Sequence, residues 1–185
     1  MDLVTHVLTG ILVSKSSTVV LSKPLVLIGC VLPDIGEVLI QRRLAEKFGA
    51  KLAVYDDRTS DPAIASELSV TYLYDFFHSP IVALSMIGLG IWLGKDLFPT
   101  AGNLILSLGV GVLSHVLLDS FTHGKVWALK LLFPFSNKRF PILAEKVGNW
   151  WDWAPTVHLP MVEFSFPILC VLIWAILGTT IFFIK

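Results

Sequence analysis

The stretch Leu113-Ser-His-Val-Leu-Leu-Asp-Ser-Phe-Thr-His-Gly124 decides how the rest of the chain is read. Placed on a helix, His115, Asp119 and His123 recur at every fourth position and stack along one face. Imidazole and carboxylate groups aimed one way from an otherwise apolar helix are costly unless something pairs them, and a bound metal ion is one such partner. Gly124 ends the helix directly after His123. His123 then reads either as a C-terminal histidine favoured by the helix dipole or as a supporting or substrate-binding residue rather than a ligand.

Composition sets the wider frame. The 185 residues are 55% hydrophobic and only 15% charged, with mean hydropathy +0.76, far from the roughly one-quarter charged residues of a soluble domain. Formal net charge is zero, so there is no bulk electrostatic case for a nucleic-acid partner. Cys30 and Cys170 lie inside apolar runs and read as small buried hydrophobes, not as a disulfide or thiolate metal site. Met1-Asp2-Leu3 opens without a basic region, and His6 interrupts the first apolar run, which is unlike a signal peptide.

Working outward from His115, the apolar runs predict an all-α, polytopic membrane bundle of four or five segments forming a single domain over residues 1–185. The last run, Leu159 to Ile184, is long enough to cross a ~30 Å hydrocarbon core. Pro80 to Gly94 and Leu97 to Leu118 form an antiparallel pair turning at Lys95-Asp96. The first of these reaches spanning length only by including Tyr72 to Phe77. Leu3 to Val13 and Val19 to Leu32 are shorter. They read either as packed membrane helices or as helices partly in the interface. Pro24 starts or kinks the second, and Pro33 ends it. Asp61-Pro62 is a helix start within the polar stretch Gln41 to Glu67. Trp150-Trp151-Asp152-Trp153 marks a headgroup interface.

Five segments place only Lys15, Lys23, Lys95 and Lys185 on one side. The other ten of the 14 basic residues, from Arg42 to Lys146, fall on the opposite side, which the positive-inside rule makes cytoplasmic. The same count puts His6, Asp34, His78, His115 and Asp119 on that basic side at about one depth. Each has an alternative when taken alone. His115 with Asp119 could be a hydrogen bond gluing helices. Asp34, in Leu32-Pro-Asp-Ile-Gly-Glu37, could be a solvated turn residue. His6 and His78 could be interfacial. Asp75, three residues before His78, could orient its ring, and Ser79 before Pro80 reads as an N-cap. Together the five make a metal site with nitrogen and oxygen ligands. Zinc fits, with iron or manganese as alternatives, as one ion or two. Such an ion lowers the pKa of water and makes hydrolysis the natural reaction class.

These residues resemble the YdjM-like family of bacterial and archaeal proteins, described as membrane-bound metal-dependent hydrolases. The resemblance rests on Thr5-His6, Leu32-Pro33-Asp34, Phe77-His78-Ser79, Ser114-His115 to Asp119 and Thr122, and Leu132-Phe133-Pro134, in order over residues 1–135. It implies a helical metal-binding hydrolase with distant kinship to zinc-dependent phospholipase C and P1-type nucleases, and hence a phosphoester or phospholipid substrate. Two departures stand out. Ile35-Gly36-Glu37 follows the Leu-Pro-Asp turn where the family has a further acid and a histidine. Tyr74-Asp75-Phe76 replaces a His-Arg-Gly run. Both point toward fewer ligands than a multinuclear site needs.

The expectation is therefore an inner-membrane enzyme acting at the cytoplasmic face among membrane lipids. His6, Asp34, His78, His115 and Asp119 hold the metal, Glu37 and His123 assist catalysis, and Lys125 and Arg42 hold the phosphate. The competing classes are a metal or proton transport protein and a non-catalytic membrane scaffold. Ligands at segment ends and the lack of an internal repeat weigh against transport.

Overall fold

The computed structural model describes residues 3–48, 72–122, 129–140, 156–158 and 165–184. They form a helical bundle with one short strand pair. The helices are α1 (Leu3–Ser16), α2 (Lys23–Phe48), α3 (Tyr72–Phe77), α4 (Pro80–Asp96), α5 (Pro99–Thr122) and α6 (Ile168–Phe183). Strands β1 (Thr156–His158) and β2 (Ser165–Pro167) pair antiparallel, with Val157 opposite Phe166.

Helix α5 lies at the centre and packs on α4, α2 and α1. Its segment Pro99–Ser120 is, among the described residues, the one helix long and apolar enough to cross a membrane; Pro80–Lys95 and Leu172–Phe183 are shorter apolar helices. The α2–α5 contact depends on paired glycines. A Cβ on Gly29 would strike the carbonyl oxygen of Leu108, and one on Gly111 would strike that of Val26. Small residues at a helix crossing let the backbones meet, which favours association in an apolar medium. Ala83, Val112, Val116 and Leu129 form the buried apolar core beside this crossing, with Leu113 and Leu131 against it.

The contacts fix chain direction. The Ser22 N–H donates to Ser107 Oγ at 2.8 Å, and His115 Nδ1 lies 2.7 Å from the Cys30 carbonyl, so α2 and α5 run parallel. Trp174 Nε1 donates to Thr5 Oγ1 at 3.1 Å, and Lys15 Nζ donates to the Ile184 carbonyl at 3.2 Å. Both contacts span 169 residues, so α1 and α6 run parallel in one register. Lys15 also donates to the Ile181 carbonyl. A cation thus caps the exposed carbonyls at the C-terminus of α6, where the helix dipole favours it. The start of α1, the middle of α2, the α3–α4 junction and the end of α5 consequently share one end of the bundle. Lys15, Lys23 and Lys95 lie toward the other.

The structure differs from the sequence expectations at four boundaries. Pro33 does not end its helix, because α2 runs on to Phe48 with Pro33 inside it. Proline costs the helix one hydrogen bond, to the carbonyl four residues earlier. The helix-forming run Leu39 to Lys47 that follows carries the helix past it. Asp34 is therefore a mid-helix residue rather than a turn residue. Tyr72–Phe77 does not extend the next helix, since His78 and Ser79 break the chain before Pro80. The α4–α5 turn falls at Leu97-Phe98, and Lys95 and Asp96 finish α4. Helix α6 starts at Ile168 rather than Leu159, because Ser165–Pro167 is extended and paired with Thr156–His158. Asp61-Pro62 and Trp150 to Trp153 lie outside the described residues.

Candidate metal centre

Each of the five expected ligands arrives on a different part of the bundle end, apart from His115 and Asp119, which share α5. His6 comes from the first turns of α1 and Asp34 from the middle of α2. His78 sits in the two-residue break between α3 and α4. His115 and Asp119 occupy successive turns near the end of α5, as their four-residue spacing requires.

The side chains meet. Asp119 is the hub: Oδ1 is 3.2 Å from His6 Nε2, and Oδ2 is 2.9 Å from His115 Nε2 and 3.4 Å from His78 Nε2. His115 Nε2 is also 3.6 Å from Asp34 Oδ1 and 3.2 Å from His78 Nε2. His6, Asp34, His115 and Asp119 each offer one ligand atom such that all four lie within 4.8 Å of one another. The His6 and His115 rings stack with centroids 3.7 Å apart. His6, His78, His115 and Asp119 are fully buried, whereas the Asp34 side chain retains 15% exposure.

The imidazoles are oriented from behind. His115 Nδ1 contacts the Cys30 carbonyl at 2.7 Å, and His78 Nδ1 contacts the Tyr74 carbonyl at 2.9 Å. A carbonyl oxygen only accepts, so both Nδ1 atoms carry the hydrogen. In the neutral rings the Nε2 atoms are then bare lone pairs, aimed at each other and at carboxylate oxygens. The Tyr74 ring stacks on His78 at 3.8 Å and fixes its plane.

These distances fit a cation. A tetrahedral ion with ligands at about 2.0–2.1 Å separates them by roughly 3.3–3.4 Å, close to the observed 3.2–3.6 Å between four of the pairs. The fully buried Asp119 carboxylate and the largely buried Asp34 carboxylate also bring negative charge that a divalent ion offsets. The buried His6 ring supports the same fit, because its Nε2 faces Asp119 Oδ1 while its Nδ1 has no hydrogen-bond partner among the described residues.

Other expected residues fare differently. Glu37 and Arg42 lie on α2 beyond Asp34, and their side chains are outside what is described. His123 and Lys125 also lie outside the described residues. The His78 Nδ1–H goes to the Tyr74 carbonyl and not to Asp75. Asp75 accepts from Lys130 Nζ at 2.6 Å, and both groups are buried. Ser79 occupies the N-cap position of α4 but makes no side-chain cap bond; its hydroxyl donates to the Phe133 carbonyl at 2.8 Å. The Asp75–Lys130 pair was missed in the sequence. Its signal was one lone charge in each of two apolar runs, Tyr72 to Phe77 and Leu129 to Phe133. The Cys30 and Tyr74 carbonyls carry no side-chain signal.

The chain matches the family model described as YdjM inner membrane protein over residues 1–184. It therefore belongs to that family and is an inner membrane protein. No curated protein and no solved structure gives a significant match.

Proposed function

We propose that this member of the YdjM inner membrane protein family is a metal-dependent hydrolase with its ion among His6, Asp34, His78, His115 and Asp119. One observation carries the reading. His78 and His115 each commit Nδ1–H to a backbone carbonyl, leaving their Nε2 atoms 3.2 Å apart beside Asp119. Outer partners of this kind are how metal-binding histidines are usually held.

Donors of nitrogen and oxygen without thiolate favour zinc, with iron or manganese as alternatives. Four donors, from His6, Asp34, His115 and Asp119, lie within 4.8 Å of one another with His78 beside His115 and Asp119, which favours a single ion over two. A divalent ion bound there brings a water's pKa toward neutrality and polarises a phosphoryl oxygen. In this reading the bundle has four or five membrane segments with its basic end, and so the centre, at the cytoplasmic face, as the positive-inside rule favours.

The substrate class proposed is a phosphoester, including lipid headgroups, by distant analogy with zinc phospholipase C; fold analogy alone does not fix substrate. In this reading water attacks phosphorus as the ester P–O bond breaks. Glu37, three residues beyond Asp34 on α2, accepts the proton from the water, and the leaving alkoxide is protonated in turn. His123 supports the site from beyond the end of α5, and Lys125 and Arg42 hold phosphate charge. Membrane lipids are the surrounding partners.

The test is hydrolysis by zinc-loaded protein, offered phosphatidylglycerol vesicles and, separately, a soluble phosphate monoester. Turnover should vanish with chelator, return with zinc and be absent in Asp119→Ala. Turnover that survives Asp119→Ala, or no turnover on either substrate by metal-loaded protein, contradicts the proposal.

A further inference from the structure

His78 is the ligand candidate with the weakest local support. It follows a helix of six residues, α3, far below the ~12–15 residues at which an isolated helix becomes even marginally stable. The two contacts that set its ring plane, the stack on Tyr74 and the bond to the Tyr74 carbonyl, stay within the same short turn. They set the ring's orientation relative to α3 but do not hold α3 in place.

The segment Leu129 to Phe140 supplies an outside anchor. Lys130 Nζ meets Asp75 Oδ2 at 2.6 Å, with the two side chains 4% and 1% exposed. Ser79 Oγ donates to the Phe133 carbonyl at 2.8 Å. Asp75 precedes His78 by three residues and Ser79 follows it by one, so the two contacts bracket the histidine. The segment is itself closed by Phe140 N–H on the Leu129 carbonyl at 3.0 Å and Phe133 N–H on the Lys130 carbonyl at 2.9 Å. Leu129 is part of the buried core with Val112 and Val116 of α5. A path of packed and bonded groups therefore runs from α5, which carries His115 and Asp119, through Leu129 and Lys130 to Asp75 and His78.

Energetics argue that this pair is not there for stability alone. Two charges taken out of water lose much of their Coulomb gain to desolvation, and apolar groups of similar volume often serve stability as well or better. What an ion pair adds is a directed contact at one distance, which an apolar pair lacks.

We propose that Asp75 and Lys130 are a positioning pair that holds His78 in the metal cluster. The pair touches neither ion nor substrate and acts through the placement of one imidazole. The proposal deepens the metal-centre reading, on which its zinc-affinity arm rests.

The test uses the full chain in detergent and the double variant Asp75→Leu/Lys130→Met, which keeps volume and removes both charges together. Diethyl pyrocarbonate labelling, read by mass spectrometry, reports each histidine without any metal. Carbethoxylation of His78 should accelerate about tenfold, as a local opening does, while His6 and His115 stay protected. Asp75→Asn, the milder variant that keeps the shape of the side chain, should accelerate His78 by a smaller factor, and Lys130→Arg should leave it protected. In zinc competition the double variant should bind about tenfold more weakly, within the range seen when outer partners are lost. Adding His78→Ala should then cost little more, because both changes remove the same ligand. Wild-type protection of His78 in both Asp75 variants overturns the proposal, as does equal acceleration of all three histidines. If wild-type protein binds no zinc but His78 alone is released, the positioning role stands and the metal-centre reading falls.

Discussion

His78 and His115 bring their Nε2 atoms to 3.2 Å of each other, one from the break between α3 and α4 and the other from near the end of α5. Because both Nδ1 atoms donate to backbone carbonyls, the facing atoms are acceptors in the neutral rings. Acceptors gathered this closely, with two carboxylates beside them, need a positive charge between them. A metal ion among these atoms would supply that charge.

Asp119 contacts all three clustered histidines, at 3.2, 3.4 and 2.9 Å. Asp119→Ala should therefore weaken zinc binding roughly 100-fold or more, at or beyond the ~10–100-fold cost of losing an outer partner. At saturating wild-type zinc this removes about 2.7 kcal/mol of metal-linked stabilisation. Thermal unfolding with and without zinc checks it: the metal-induced rise in Tm should be large in wild type and nearly absent in the variant.

The glycine crossing of α2 and α5 sets the spacing of Asp34 and His115. Gly29→Ala or Gly111→Ala would drive a methyl group into the opposing backbone and should cost about 1–3 kcal/mol, as overpacking does. Zinc affinity should fall with stability. Gly88 is the control, since a Cβ there meets nothing within 4 Å. Gly88→Ala should be neutral or stabilising by up to about 1 kcal/mol. Thermal melts of the three variants in detergent, beside zinc titrations, compare them directly.

The site was legible in the sequence where local periodicity carried it. His115 and Asp119 follow from helical spacing, and His6, Asp34 and His78 fall at one end once the apolar segments are counted. The boundaries were less legible. Proline-based reading ended a helix at Pro33, whereas the helix formers beyond it outweigh one lost hydrogen bond. The start of α6 depends on strand pairing with Thr156 to His158, which no apolar count reveals. The Asp75–Lys130 pair joins positions 55 residues apart, and the carbonyls that orient His78 and His115 are backbone atoms. Neither leaves a periodic trace.

Trp174 ties α6 to the residue beside His6 through its bond to Thr5. Trp174→Phe keeps the ring packing and removes the donor, so it should cost about 1 kcal/mol. Thr5→Val should cost a similar amount, and the double variant no more than either alone, since both break one bond. A double-mutant cycle on thermal stability measures this.

The arrangement of ends predicts a topology. Lys95 lies at the end opposite the cluster, and Arg139 belongs to the segment joined to α3 at the cluster end. In intact cells Lys95→Cys should react with a membrane-impermeant maleimide and Arg139→Cys should not. Serine at Cys30 and Cys170 supplies the background. The reverse pattern would put the centre on the outer face, against the positive-inside assignment.

The most direct test of the metal centre is zinc K-edge absorption spectroscopy on purified, zinc-reconstituted protein, with the metal quantified per chain. A metal centre of this composition should hold about one zinc per chain, bound by nitrogen and oxygen at about 2.0–2.1 Å with imidazole scattering and no sulfur near 2.3 Å. Zinc far below one per chain, or a sulfur shell from cysteine, would contradict it.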